Sequence, residues 1–585
     1  MRHTKSYLKG HPNPQFTRKS FVLLDGYWDF AFDDNDEGII NKWYQNFPKA
    51  HKILVPYAYQ TIKSEINIQE PHNIVWYHKE FEHKTSNKRC ILNFEGVDYQ
   101  SDVYINGEHI GSNVGAYHRF SFDITKFLKD GKNDITVRVY DDYSCLRPRG
   151  KQRWMDESYE CFYVDTTGIY KSVWIEYVGL TYLKSVKITP DIDTNLVTFD
   201  YDIDGNLDNI YVETIITYND KLISKSINKV NRPQMTLSMD FSTDSATMKV
   251  AYWSPYSPNL YDVEFRILKD NEVIDEVLSY FGAVSYEAIG NSIYINHAPF
   301  YLKLILDQGY WKDSGMTSDE EKIIKDIKLM QDIGLNGCRK HEKIESDLFY
   351  YYCDILGYLL WQELPSPYEF RDQTIENATN EWIKIVKQHY NHPSLMTHVI
   401  FNESWGLMGI GKNKRQQELT VGLYHLTKSL DPTRFVISND GWEHTKSDIL
   451  TVHNYEQDAS KLKEEYVNFT EIFAKNQRHA HRGTKRLLAD SYEYEGQPVV
   501  FSEFAGIAFE KDTNKGWGYG NSVKDEQDFL NRLESQINVI ESNPAFSGYC
   551  ITQLSDVEQE VNGLVDENRN YKADKVKLRL IIAKK

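Results

Sequence analysis

Two glutamates about a hundred positions apart, Glu403 and Glu503, each close an apolar run. Leu395-Met-Thr-His-Val-Ile-Phe401 leads into Asn402-Glu403-Ser404-Trp405-Gly406, and Pro498-Val-Val-Phe501 leads into Ser502-Glu503-Phe504. Runs of this length and content read as buried strands. A lone Glu is usually a solvated loop residue, but a pair carried to the mouths of two parallel strands can converge. Two such carboxyl groups can cleave a glycosidic bond, one giving a proton and the other attacking the sugar or activating water. A gap of about 5 to 5.5 Å gives retention of configuration, and a wider gap admits a water and gives inversion. The sequence leaves that gap open.

Further polar residues follow the other apolar runs. Asp307-Gln308 and Tyr310-Trp311 come after the first, where a carboxylate can accept sugar hydroxyls and an indole can stack on a pyranose. Arg339 and His341 are two apart, which puts both on one face of an extended strand. Glu363, Trp405 and Trp517 are further candidates. His341, His398 and His453 lie near run ends, yet no ligand spacing links them, so neither a metal nor a cofactor is expected.

These side chains need a frame. From about residue 286 apolar runs end at Leu306, Arg339, Glu363, Phe401, Ser438, His453, Glu503 and Ile551, with helical periodicity over 320–333 and 378–390. Strand alternating with helix predicts a closed (β/α)8 barrel, a TIM barrel, over 286–585, preferred to an open doubly wound sheet because no GxGxxG opens a helix. Glu403 and Glu503 then end strands four and seven, on opposite sides of the mouth. The 455–497 connection is long enough for a lid or a subunit contact, and Gln477 to Lys485 is expected to be mobile.

The first 180 residues alternate in short bursts. Val103 and Ile105 share a strand face before the hairpin signal Asn106-Gly107, and Ile135, Val137 and Val139 repeat the pattern, so residues 1–180 predict an antiparallel, jelly-roll-like sandwich. Alternation continues through Val197-Thr-Phe-Asp-Tyr, and 181–285 has the length of an immunoglobulin-like sandwich.

Composition agrees with a multidomain enzyme. The 585 residues exceed one hydrophobic core, and 41 Tyr with 12 Trp suit sugar binding. A net charge of -18 disfavours nucleic acid and anionic membranes as partners. Six scattered cysteines read as free thiols, and with no signal-peptide-like or membrane-length apolar segment a cytoplasmic location is expected. Base rates suggest a homo-oligomer, most simply a dimer.

Asn391-His392-Pro393-Ser394 leading into Asn402-Glu403-Ser404 resembles the acid/base segment of family 2 glycoside hydrolases, and Gln497-Pro-Val-Val-Phe-Ser-Glu503 resembles their nucleophile strand. Thr167-Gly168-Ile169-Tyr170 resembles the closing motif of their sugar-binding sandwich, and Gly548 to Arg569 their last barrel strand and loop. The resemblance implies Glu403 as acid/base, Glu503 as nucleophile, Asn402 on the sugar 2-hydroxyl, and Tyr455 and Arg339 against the nucleophile. His341 departs from the family's usual spacing. Members cleaving glucuronides carry Asn-x-Lys after the last strand, where this chain has Glu560-Val561-Asn562 and no cation. An acidic sugar would be repelled there. The expectation is a retaining, exo-acting β-galactosidase, with glucuronide, mannoside, arabinoside or galactofuranoside hydrolysis, or an inactive carbohydrate-binding relative, as alternatives.

Overall fold

The computed structural model describes residues 2–244, 246–469, 471, 478–480 (backbone), 484–509 and 516–584. Of the stretch read as mobile, Gln477 and residues 481–483 lie outside the described residues.

The N-terminal part is a sandwich of a four-stranded and a six-stranded sheet. Asn106 (φ 49°) and Gly107 (φ 79°) turn the chain between antiparallel strands Gln100–Ile105 and Glu108–Val114, since two consecutive positive φ angles match the twist of a two-residue hairpin. Val103, Ile105, Ile135, Val137 and Val139 are wholly buried between the sheets. The second sandwich packs a three-stranded on a four-stranded sheet, with Val197, Phe199 and Tyr201 inside, which is the immunoglobulin-like arrangement.

The C-terminal part is a (β/α)8 barrel. Its strands are β1 (Leu302–Asp307), β2 (Gly337–Lys340), β3 (Leu359–Glu363), β4 (Leu395–Val399), β5 (Phe435–Ile437), β6 (Leu450–His453), β7 (Val499–Ala505) and β8 (Gly548–Thr552). All seven ladders are parallel, in the order β5-β4-β3-β2-β1-β8-β7-β6. Between β5 and β6, where the barrel closes, no ladder and no helix occurs among the described residues. Helix α1 (Glu320–Asp332) turns Ile323, Ile327 and Met330 inward, and α2 (Asp372–His389) buries Ala378, Trp382, Ile385 and Val386. Positions three and four apart make each stripe. Asp319 caps α1 by accepting the Lys322 N–H.

Of the 455–497 connection, Leu487 and Leu488 are buried, and Arg486 and Leu487 accept N–H bonds from Glu443 and His444. No described helix is long and apolar enough to cross a membrane.

Candidate active site

The C-terminal ends of the strands bring their polar residues together at one face, where each strand has finished its ladder and its side chains are free to converge. Beyond β4 the chain turns left-handed at Glu403 (φ 51°) and Ser404 (φ 62°). Such angles cost a non-glycine residue on the order of 1 kcal/mol each. The turn is held by the Glu403 and Ser404 N–H groups, which donate to the Asp440 carbonyl and the Asn439 side-chain oxygen, both at 2.9 Å. It aims Glu403 across the mouth.

Glu503 sits opposite in a tight electrostatic frame. Its Oε1 accepts from Arg339 at 2.8 Å, and its Oε2 accepts the Tyr455 hydroxyl. Burial disfavours its charge, but His453, Arg339, His341 and the Tyr455 bond outweigh that and hold it down at about 2. Arg339 is fully buried and organises the cluster: it donates to Asn402 Oδ1 at 2.7 Å and to the Ser502 carbonyl at 3.1 Å, and pairs with Asp440 at 2.8 Å and with Glu363. His341 lies 2.9 Å from Glu363 and 3.1 Å from Arg339. One oxygen from each glutamate and one nitrogen of His453 all lie within 4.8 Å of one another.

Asp307 is drawn away from this centre. Its oxygens accept from Lys340 at 2.6 Å and from the Gly309 N–H at 2.8 Å, and Lys340 also pairs with Glu345 at 3.0 Å. Trp517 stands one layer back: its indole donates to the Glu160 carbonyl and its ring meets Tyr519 edge-on, while Tyr519 stacks on Tyr455.

The loop after β8 forms the remaining wall. Glu560 accepts from Tyr163 at 2.5 Å and from Asn562 at 3.0 Å, and burial pushes its carboxyl up. Asn562 in turn accepts from Gln553, which accepts from Gln308. Tyr163 belongs to the N-terminal sandwich, on a segment that packs its backbone against the barrel. A Cβ on Gly150 (φ +64°) would meet the Glu342 carbonyl at 2.2 Å, so only glycine allows that approach. The next residue, Lys151, is buried and pairs with no carboxylate among the described residues; its ammonium is 3.5 Å from Cys161. Burial opposes its charge, but Cys161, Glu342, Glu403 and Glu503 raise its pKa.

Sequence reasoning passed over Asp440, Glu342, Tyr519, Tyr163 and Lys151, and gave His453 no role. Asp440 stands two residues past a run end and was within reach of the rule that found the glutamates. Lys151 and Tyr163 carry no such local signal.

Comparison with known proteins agrees with this architecture. The family description "Glycosyl hydrolases family 2, sugar binding domain" matches residues 21–177, "Glycosyl hydrolases family 2" matches 181–283, and "Glycosyl hydrolases family 2, TIM barrel domain" matches 287–583. A putative beta-glucuronidase of Formosa agariphila is 28% identical over 74% of this chain and 54% of its own length. A beta-galactosidase of Thermoanaerobacter pseudethanolicus is 25% identical over 65% of this chain and 50% of its own. The chain thus spans about half the length of these two relatives. Among solved structures, a Ruminococcus gnavus beta-glucuronidase superposes with TM-score 0.79 at 17% identity over 100% of both chains. An Eisenbergiella tayi beta-galacturonidase superposes with TM-score 0.75 at 18% identity, covering 96% of this chain and 97% of its own. With all three of its parts matched in order, the chain belongs to glycosyl hydrolase family 2.

Proposed function

We propose that this glycoside hydrolase is a retaining, exo-acting enzyme on terminal β-glycosides, with Glu503 as nucleophile and Glu403 as acid/base. The observation that carries the reading is the 4.8 Å limit on the separation of the Glu403, His453 and Glu503 atoms. An approach this close between one oxygen of each glutamate suits direct attack on the anomeric carbon, as in retaining enzymes whose carboxyls stand about 5 to 5.5 Å apart, better than the roughly 6.5 to 9.5 Å of inverting ones. In the first half-reaction Glu503 bonds to the anomeric carbon while Glu403 protonates the departing oxygen. In the second, Glu403 takes a proton from water as that water displaces Glu503. Arg339 holds the Asn402 side-chain oxygen and one amide N–H of Asn402 donates to Glu342 at 3.4 Å, which leaves the other N–H to meet the sugar 2-hydroxyl.

For the sugar we favour a neutral pyranoside, a β-galactoside first. In the loop after β8, Glu560 and Asn562 offer acceptors and an amide, groups suited to hydroxyls. A uronide is the second reading, supported by Lys151 and by the names of several relatives and neighbours, beta-glucuronidases and a beta-galacturonidase. The deciding experiment is kcat/KM on a panel of nitrophenyl β-glycosides, with the first-formed anomer read by NMR. The expected result is β-sugar first, galactoside ahead, and glucuronide at least about a hundredfold slower, because an unpaired buried charge costs several kcal/mol. A first-formed α-sugar rejects retention. A leading uronide whose advantage disappears in Lys151→Met establishes the second reading. No turnover of any β-glycoside leaves the inactive carbohydrate-binding relative.

A further inference from the structure

His453 ends β6 between the two glutamates, and the two-carboxylate mechanism gives it nothing to do. Its ring is buried, with Nδ1 2.7 Å from Glu403 Oε1. Nε2 faces Glu503 at 3.5 Å, Asp440 at 3.6 Å and the Arg339 guanidinium at 3.4 Å. The position is built. Trp442 meets the ring edge-on at 5.6 Å, and a Cβ on Gly441 would strike it at 2.6 Å, so a side chain there would displace it.

We propose that His453 is a positioning and proton-holding residue, and that it and Glu403 act as one acid whose working proton lies in the Nδ1 to Oε1 hydrogen bond. This rests on the reading of Glu403 as acid/base and Glu503 as nucleophile. The charged groups around the ring are Glu403 beyond β4, Asp440 beyond β5, Glu503 on β7 and Arg339 on β2, with the buried imidazole of His444 farther off. Burial lowers the affinity of the ring for a proton, but Glu503, Asp440 and Glu403 raise it to about 10, so the free enzyme holds an imidazolium.

Glycosylation removes one of these supports. When Glu503 becomes a neutral ester, the group that raises His453 most among its neighbours loses its charge. The Nδ1 proton then passes to Glu403 as Glu403 gives a proton to the glycosidic oxygen. The C–O bond breaks with its electron pair on that oxygen, and Glu503 bonds to carbon. The ring is left neutral, with its remaining proton on Nε2, which faces Asp440 at 3.6 Å, and with Nδ1 bare to take a proton back. Water reverses each transfer: its oxygen bonds to the anomeric carbon, its proton goes through Glu403 to Nδ1, and Glu503 leaves as carboxylate. The cation disappears with the anion and returns with it, so the pocket's charge stays balanced in both halves.

The first test compares wild type, His453→Gln and His453→Asn on an alkyl β-glycoside and a dinitrophenyl β-glycoside across pH. We expect kcat/KM on the alkyl substrate to fall about 100-fold or more, the usual scale for general acid catalysis. The dinitrophenyl substrate should stay within about threefold, and the alkaline limb should move down by about one pH unit or more. Equal losses on both substrates with an unmoved alkaline limb mean that His453 is structural, and no loss on either also overturns the proposal. Glu403→Gln on the same substrates separates the two readings: if it shows no leaving-group dependence, the acid assignment itself has failed. The second test needs no folded variant. In 15N-histidine-labelled wild type trapped with an activated 2-deoxy-2-fluoro glycoside, the His453 nitrogens should change from imidazolium shifts in the free enzyme to neutral-ring shifts. An imidazolium in both states overturns the proposal.

Discussion

Glu503 and Glu403 are the same residue type at facing strand ends, yet they sit in opposite conditions. Glu503 is buried and bonded on both oxygens, by Arg339 and by Tyr455. Glu403 is a fifth exposed at the side chain and bonded through Oε1 to His453. A carboxylate pinned by a cation on one oxygen and a hydroxyl on the other stays ionised and aimed, as the proposed nucleophile must. One left on a short turn beside His453, and partly open to the mouth, is placed to hand a proton on, as an acid/base must. The environment divides the labour, and each half of the comparison can be broken separately.

The largest expected effect is on the pinned side. Glu503→Gln keeps the shape but cannot form a glycosyl ester, so kcat should fall at least about a thousandfold; a variant keeping more than about a tenth of wild-type rate is not missing its nucleophile. On the responsive side, Glu403→Ala should cost roughly 10²- to 10⁴-fold on an alkyl glycoside and far less on a dinitrophenyl one, which leaves without help. Parallel losses on the two substrates would reject the acid role.

Tyr455→Phe sharpens the contrast with a smaller change. A hydrogen bond to a charged group is worth about 1.5 to 3 kcal/mol, so kcat/KM should fall roughly 10- to 100-fold, and its acidic limb should rise as Glu503 loses a donor. An unchanged limb would show that Tyr455 does not support the anion.

The smallest effect is on stability. Glu503 is depressed from 4.5 to about 2, so its contribution is present above pH 4.5 and is lost as pH falls toward 2. His453 is raised from 6.5 to about 10, so its contribution is complete below pH 6.5 and is lost as pH rises through 10. Melting temperatures of wild type and Glu503→Gln across pH should therefore converge at the acidic end, and the variant should decline less toward alkaline pH. Parallel curves would refute the coupling.

The barrel was legible because each strand is a short apolar run closed by a polar residue, a pattern contained in a few consecutive positions. The two glutamates were found by that same rule. Asp307 shows its limit: the sequence places a carboxylate at a strand mouth, but Asp307 and Lys340 meet only through the register of β1 against β2. Lys151 and Tyr163 lie further beyond it. Their loop reaches the site because one sandwich docks on the barrel, and nothing within the loop encodes that docking.

The bond between Tyr163 and Glu560 joins residues 397 positions apart, which sets a timetable for synthesis. At about 5 to 20 residues per second, the sandwich loop leaves the ribosome roughly 20 to 80 s before its acidic partner is made. Once Glu342 has been made Gly150 has its landing surface on the barrel, but the wall that Glu560 completes is still missing. A nascent chain stopped just short of β8 would carry Glu403, His453 and Glu503 and still lack a finished pocket, so enzymatic activity should appear late, with the last strand and its loop.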